Sequence, residues 1–203
     1  NVGGGTGMAT YEFKGGTGTA SRVVSLGNTD YTIGALVQSN FGQRADLTIL
    51  GVPVGRYFPD NAVISEIMEH EAGSIIVVIG TDLPLMSIQL RRIAKRAAIG
   101  IGRTGTPGGH YSGDIFLAFS IANDVGLPGV SSKQPSTYSL ECVNDHFFDA
   151  IYAAVVQAIE EAVINAMIAA EPMTTVKPTG YTLEAINHDR LKEIMRQHNR
   201  LKG

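Results

Sequence analysis

Residues 19–26, with Thr19, Ser21, Val23 and Ser25 on one parity, mix apolar with polar positions and read as a strand, and residues 31–40, Tyr-Thr-Ile-Gly-Ala-Leu-Val-Gln-Ser-Asn, read as its partner. A period of two is the pattern of a half-buried strand. Gly27, Asn28, Thr29 and Asp30 separate the two segments, so they predict a hairpin. Residues 46–50 predict a shorter strand. Residues 74–80, Ser-Ile-Ile-Val-Val-Ile-Gly, form a continuous apolar run and predict a fully buried strand. The period then changes. Leu85, Ile88, Leu90, Ile93, Ala94 and Ala97 recur at helical spacing across 84–99, with Thr81 or Asp82 as cap and Pro84 in the first turn. Residues 114–121 predict another strand. Residues 145–170 predict a long helix, apolar on most faces and therefore deeply packed. Residues 182–201 predict a polar terminal helix, with Thr182 and Glu184 near its start and Arg196, Arg200 and Lys202 near its end. Antiparallel strands followed by long helices make a layered α/β sandwich.

Glycine gathers at 1–18, 100–113 and 126–129. These clusters read as tight turns between structured segments, not as linkers, so the chain reads as a single domain. Gly3, Gly4, Gly5, Thr6 and Gly7 invite a phosphate-cradle reading, but no Walker lysine follows and no clear helix opens. Composition narrows the classes further. Charged residues are 17% of the chain, below the usual quarter, which points to extensive buried surface in the core or between subunits. A net charge of −3 gives no basic field for nucleic acid. Arg91, Arg92, Lys95 and Arg96 read as a solvated helix face or an oligomer contact. No apolar run of about 18 residues predicts a membrane span. The chain opens at Asn1 without a methionine or a signal peptide. The expectation is that an N-terminal part of the natural protein precedes it, so that localisation is not read from the start, with the cytoplasm favoured. Cys142, the single cysteine, reads as a small core residue. The five histidines have no metal-ligand spacing.

The most informative position is the junction Gly73-Ser74, where a charged stretch meets the apolar run. A serine hydroxyl can attack the carbonyl before it. The resulting ester, once hydrolysed, frees a serine that carries hydroxyl and α-amine on one residue. That amine, with a reference pKa of about 7.7–8.0, can serve as general base. On spacing alone, however, Gly-Ser reads as the end of a loop before a core strand.

The surrounding motifs change that reading. The chain resembles the family of L-aminopeptidase/D-esterases and β-peptidyl aminopeptidases, autoprocessed serine peptidases of the N-terminal-nucleophile type. The matching segments are Asn-Val-Gly-Gly-Gly-Thr-Gly-Met (1–8), Phe-Lys-Gly-Gly-Thr-Gly-Thr-Ala-Ser-Arg (13–22) and Leu-Val-Gln-Ser-Asn-Phe-Gly (36–42). They continue with Gly-Val-Pro-Val-Gly (51–55), Gly-Ser-Ile-Ile-Val-Val (73–78), Thr-Asp-Leu-Pro-Leu (81–85), Arg-Thr-Gly (103–105) and Ser-Gly-Asp-Ile-Phe-Leu-Ala-Phe-Ser (112–120). The resemblance runs in order along essentially the whole chain.

It implies an αββα sandwich like that of ornithine acetyltransferase. It also implies self-cleavage between Gly73 and Ser74, with 1–73 the end of an α chain and 74–203 the β chain. The implied activity is removal of N-terminal L-, D- or β-residues from a small peptide, amide or ester by a homo-oligomer of αβ protomers. No metal or cofactor is implied, and no nucleic-acid or membrane partner. Ser74 would be nucleophile and its amine the base. Asn40 would donate to the oxyanion, and Ser112 and Asp114 would hold the nucleophile's amine and hydroxyl, with the Gly113 N–H pointing into the site. Asp114 stands where some relatives have Glu. His110 and Tyr111 would line the substrate pocket. The alternatives are an acyltransferase of the ornithine-acetyltransferase type, which uses Thr where Ser74 stands here, and an inactive scaffold member of the fold.

Overall fold

Side chains alternate across extended backbone, so a sheet packed by helices on one side acquires two unlike faces. The computed structural model describes residues 2–67, 73–123 and 136–201. A small ribbon of β1 (Ala9–Thr10) and β2 (Phe13–Lys14) leads into the long strands β3 (Gly16–Leu26) and β4 (Thr29–Asn40). After α1 (Val63–Ile67) come β5 (Ser74–Thr81), α2 (Ser87–Ala94), α3 (Ala97–Gly102) and β6 (Ile115–Ser120). The chain then forms α4 (Phe148–Ile168), a ribbon of β7 (Met173–Thr174) and β8 (Thr182–Leu183), and α5 (His188–Gln197). The main sheet has the order β3-β4-β5-β6. The first three strands are antiparallel neighbours, and β6 runs parallel to β5.

The β3–β4 hairpin turns on Gly27-Asn28, with Gly27 at φ 62° in the first central position, where such turns favour glycine. On the inner face, Ile33, Ala35, Val37, Ile75, Val77 and Ile79 are buried beneath α4. Gly18 brings β3 against that helix, because a Cβ there would run into the Ala162 carbonyl and lie 2.6 Å from the Ala166 nitrogen. The stretch Asp145–Ile168 is long and apolar enough to cross a membrane. Its Ile151, Val155, Ile159, Val163 and Met167 are wholly buried in the core, which accounts for that apolarity.

Several expectations need correction. Strand β5 is not buried throughout: it alternates, with Ile75, Val77 and Ile79 inward and Ile76 40% exposed. Residues 46–50 are not a strand. Leu50 and Gly51 both take positive φ, and a tight turn pairs Ile49 with Val52. The helix over 84–99 is two helices. It opens at Ser87 after Met86, while Asp82 accepts from the Thr32 N–H instead of capping. Its second part, α3, redirects the chain so that Gly100 packs on Val156 and Ile159 of α4, making Gly100 and Gly102 helical and not turn residues. The terminal helix is shorter, His188–Gln197, capped by the Asn187 side chain, and Thr182 lies in β8. Cys142 is exposed, and its neighbour Val143 takes the core position. Gly126, Gly129 and Lys202 lie outside the described residues.

Candidate active site

Strands β4 and β5 end level with each other, so Asn40 and Ser74 are direct cross-strand partners. Both belong to the outward parity of the sheet, opposite to the side packed by α4. Gly73 is pressed onto the end of β4. A Cβ there would strike the Asn40 carbonyl and lie 2.7 Å from Phe41 Cα, so only glycine lets the chain enter β5 at this point.

The loop before β6 supplies the other groups. The Gly113 N–H donates to Ser74 Oγ at 2.9 Å. Asp114 Oδ1 accepts from the Ile75 N–H at 3.1 Å and from Ser112 Oγ at 2.5 Å. The Asp114 carboxylate is thus fixed one residue from the Gly73-Ser74 peptide bond by the parallel pairing of β5 and β6. On the other side, Asn40 Oδ1 accepts the Ala9 N–H at 3.0 Å. That bond fixes which end of the side-chain amide is carbonyl, and leaves Nδ2 as the donor.

Ser74, Asn40, Ser112, Gly113 and Asp114 are therefore drawn together from distant parts of the sequence. His110 and Tyr111 are not part of that cluster. Both are exposed, their rings packed edge-on at 5.0 Å. A pocket of about 200 Å³ beside Ser112 and Asp114 is walled by Phe41, Ile101 and the turn 106–109. Sequence reasoning missed that wall, and also missed Ala9 and the buried Lys14 behind it. Lys14 lies within the matched segment 13–22, which was the available signal.

A serine at the first position of an inner strand, faced by an asparagine and bracketed by a loop amide and a carboxylate, places this chain among α/β proteins with a serine-centred site. The chain belongs to peptidase family S58, whose family model matches residues 1–180. It is 44% identical over 212 aligned positions to the β-peptidyl aminopeptidase BapA of Sphingosinicella microcystinivorans, covering 99% of this chain and 52% of that protein. Among solved structures it is similar to the L-aminopeptidase D-Ala-esterase/amidase from Ochrobactrum anthropi, a prototype of the serine aminopeptidases and a variant of the Ntn hydrolase fold. The TM-score there is 0.90 at 54% identity, over 98% of this chain and 53% of that one. A Burkholderia β-aminopeptidase gives a TM-score of 0.81 at 41% identity, over 96% and 52% of the two chains. The fold is accordingly that Ntn-type α/β sandwich. The chain spans about half the length of the relatives it matches.

Proposed function

We propose that the whole protein is an autoprocessed aminopeptidase with Ser74 as its nucleophile. The observation that carries this reading is the cluster at the head of β5: Ser74 opposite Asn40, with the Gly113 N–H on its hydroxyl and Asp114 on the next amide.

Self-cleavage begins with attack of Ser74 Oγ on the Gly73 carbonyl carbon. The C–N bond to Ser74 breaks as the new C–O bond holds, and the hydroxyl proton passes to the departing nitrogen. Water then hydrolyses the ester, leaving a Gly73 carboxylate and a Ser74 with free hydroxyl and amine. Residues 1–73 end the α chain and 74–203 form the β chain. In turnover the amine takes the hydroxyl proton as Oγ attacks the substrate carbonyl. The amine hands that proton to the leaving nitrogen or oxygen as the shortened peptide, amine or alcohol departs and the acyl-enzyme forms, and water then hydrolyses the ester to free the N-terminal residue. Asn40 Nδ2 donates to the oxyanion in both reactions. Ser112 and Asp114 hold the amine's protons through the hydroxyl–carboxylate pair.

The substrate class is a small peptide, amide or ester with a free N-terminal residue. β-Residues are included, in line with the names of the relatives. His110 and Tyr111, exposed directly before Ser112, are the candidate outer contacts for the substrate. The protomers assemble as a homo-oligomer. Purified full-length protein incubated with β-alanyl and L-alanyl p-nitroanilides tests the reading. Release of nitroaniline that requires Ser74 supports it, and release unchanged in Ser74→Ala contradicts it.

A further inference from the structure

A buried ammonium group lies behind the site and takes no part in the reaction above. Lys14 is fully buried, and its Nζ donates to three carbonyl oxygens: Gly15 at 2.7 Å, Met8 at 2.8 Å and Gly5 at 3.1 Å. Its three protons meet three acceptors. Among the described residues no carboxylate forms an ion pair with it. A buried cation satisfied by dipoles alone is costly, and a methionine would fill the same space without that cost. Burial also pushes the lysine pKa down.

The surroundings hold this arrangement firmly. Lys14 pairs with Ala9 across the β1–β2 ribbon. The ribbon turns at Tyr11-Glu12, both at positive φ (50° and 60°), a conformation that such side chains adopt only when the structure enforces it. The Tyr11 hydroxyl is fixed by Thr104 Oγ1 at 2.6 Å and by the Thr106 N–H at 3.1 Å. The Glu12 carboxylate accepts from the Arg44 and Ser65 N–H groups, each at 2.9 Å. Arg44 in turn donates to the carbonyls of Tyr11 and Glu12.

The Met8–Ala9 peptide unit connects this knot to the site. Its oxygen is gripped by Lys14 Nζ and by the Gly15 N–H. Its N–H, on the opposite side of a trans peptide, donates to Asn40 Oδ1. We propose that Lys14 is a positioning residue for the oxyanion donor, acting through the Met8–Ala9 peptide to aim and polarise the Asn40 side-chain amide. The ammonium charge held against the Met8 oxygen makes the Ala9 N–H a stronger donor. That bond in turn draws electron density toward Asn40 Oδ1 and makes Nδ2–H a stronger donor. Two amide groups in series thus carry the influence of the ammonium to the carbonyl that Ser74 attacks. The inference rests on Asn40 being the oxyanion donor.

The test is a double-mutant cycle in the full-length protein. Lys14→Met and Asn40→Ala are made singly and together, and read by the self-cleavage rate and by kcat and KM of the processed enzyme. Lys14→Met is expected to lower the cleavage rate and kcat by about tenfold with KM little changed, and by less than about twofold when Asn40 is already alanine. Lys14→Arg, which keeps charge and donors, restores most of the loss. Should Lys14→Met not fold, Lys14→Gln keeps amide donors without the charge and is expected to show the same coupled loss. An equal loss in both Asn40 backgrounds, or kcat unchanged in the folded Lys14 variant, overturns the inference while leaving Asn40's role intact. Unchanged rates in Asn40→Ala alone would overturn the oxyanion assignment, and this inference with it.

Discussion

Asn40 and Ser74 face each other because two strands of different length end level, and neither residue's neighbours in sequence announce that pairing. Two predictions belong to single residues. Asn40→Ala removes the proposed oxyanion donor, so kcat in the full-length enzyme falls about 10²–10³-fold, equivalent to about 2.7–4 kcal/mol of transition-state stabilisation. Steady-state kinetics on a p-nitroanilide measure it, and a loss under tenfold would remove Asn40 from that role. Gly73→Ala places a Cβ into the Asn40 carbonyl. The end of β4 then has to yield, and the time course of self-cleavage, followed by gel electrophoresis, slows severely. Cleavage at the wild-type rate would mean that the close packing of Gly73 is not needed. At this scale the site was legible only through motifs. Gly-Ser, Ser-Gly-Asp and Gln-Ser-Asn-Phe-Gly each occur by chance, and it is their order along the chain that identifies them. What the residues bond to was not legible. The donor to Asn40 Oδ1 is a backbone N–H, which belongs to no residue type.

The elements were legible wherever periodicity carried the burial. The β3–β4 hairpin and α4 follow from alternation and from a nearly all-apolar helix. The division between α2 and α3 left no trace, because Lys95 and Arg96 are ordinary helix formers and nothing in the sequence announces that Gly100 packs on α4. The basic cluster 91–96 is likewise not merely solvated: Arg92 of α2 pairs with Asp145 at 2.7 Å, and Arg96, just before α3, lies over the Tyr152 ring. Arg92 and Gln89, by hydrogen bonds, hold the Asp145 carboxyl below its ordinary 3.8. Its folded-state pKa therefore lies beneath the unfolded one, and the stabilisation is present at neutral pH and lost as pH falls through the folded value. Asp145→Asn is expected to lower the thermal midpoint at pH 7 and to differ progressively less from wild type as the pH falls below 3.8. A pH-independent difference would deny the charge a role. Packing itself is tested at Ile159, which is fully buried in α4. Ile159→Ala costs about 2–5 kcal/mol in denaturant unfolding. A loss near zero would mean that the helix does not form the core.

At the scale of the whole molecule, the outer face of the sheet is unlike the face packed by α4. Val23, Leu36, Ile76, Ile115, Leu117 and Phe119 are 40–65% exposed there, a broad apolar surface beside the serine. An αββα sandwich requires a second sheet on that face, and the relatives are about twice the length of this chain. We expect the unmatched part of the full-length protein to cover it. Leu117→Glu in that protein then destabilises it well beyond the ~0.5 kcal/mol typical of a surface position, whereas a solvent-facing strand would tolerate the charge. By the proposed mechanism Ser74 becomes an amino terminus. Intact mass of the purified full-length protein, beside a Ser74→Ala variant, tests it most directly. Two fragments in the wild type, one beginning at Ser74, with a single uncut chain in the variant, is the predicted result. A wild type that remains one chain, yet hydrolyses its substrate, would contradict the account.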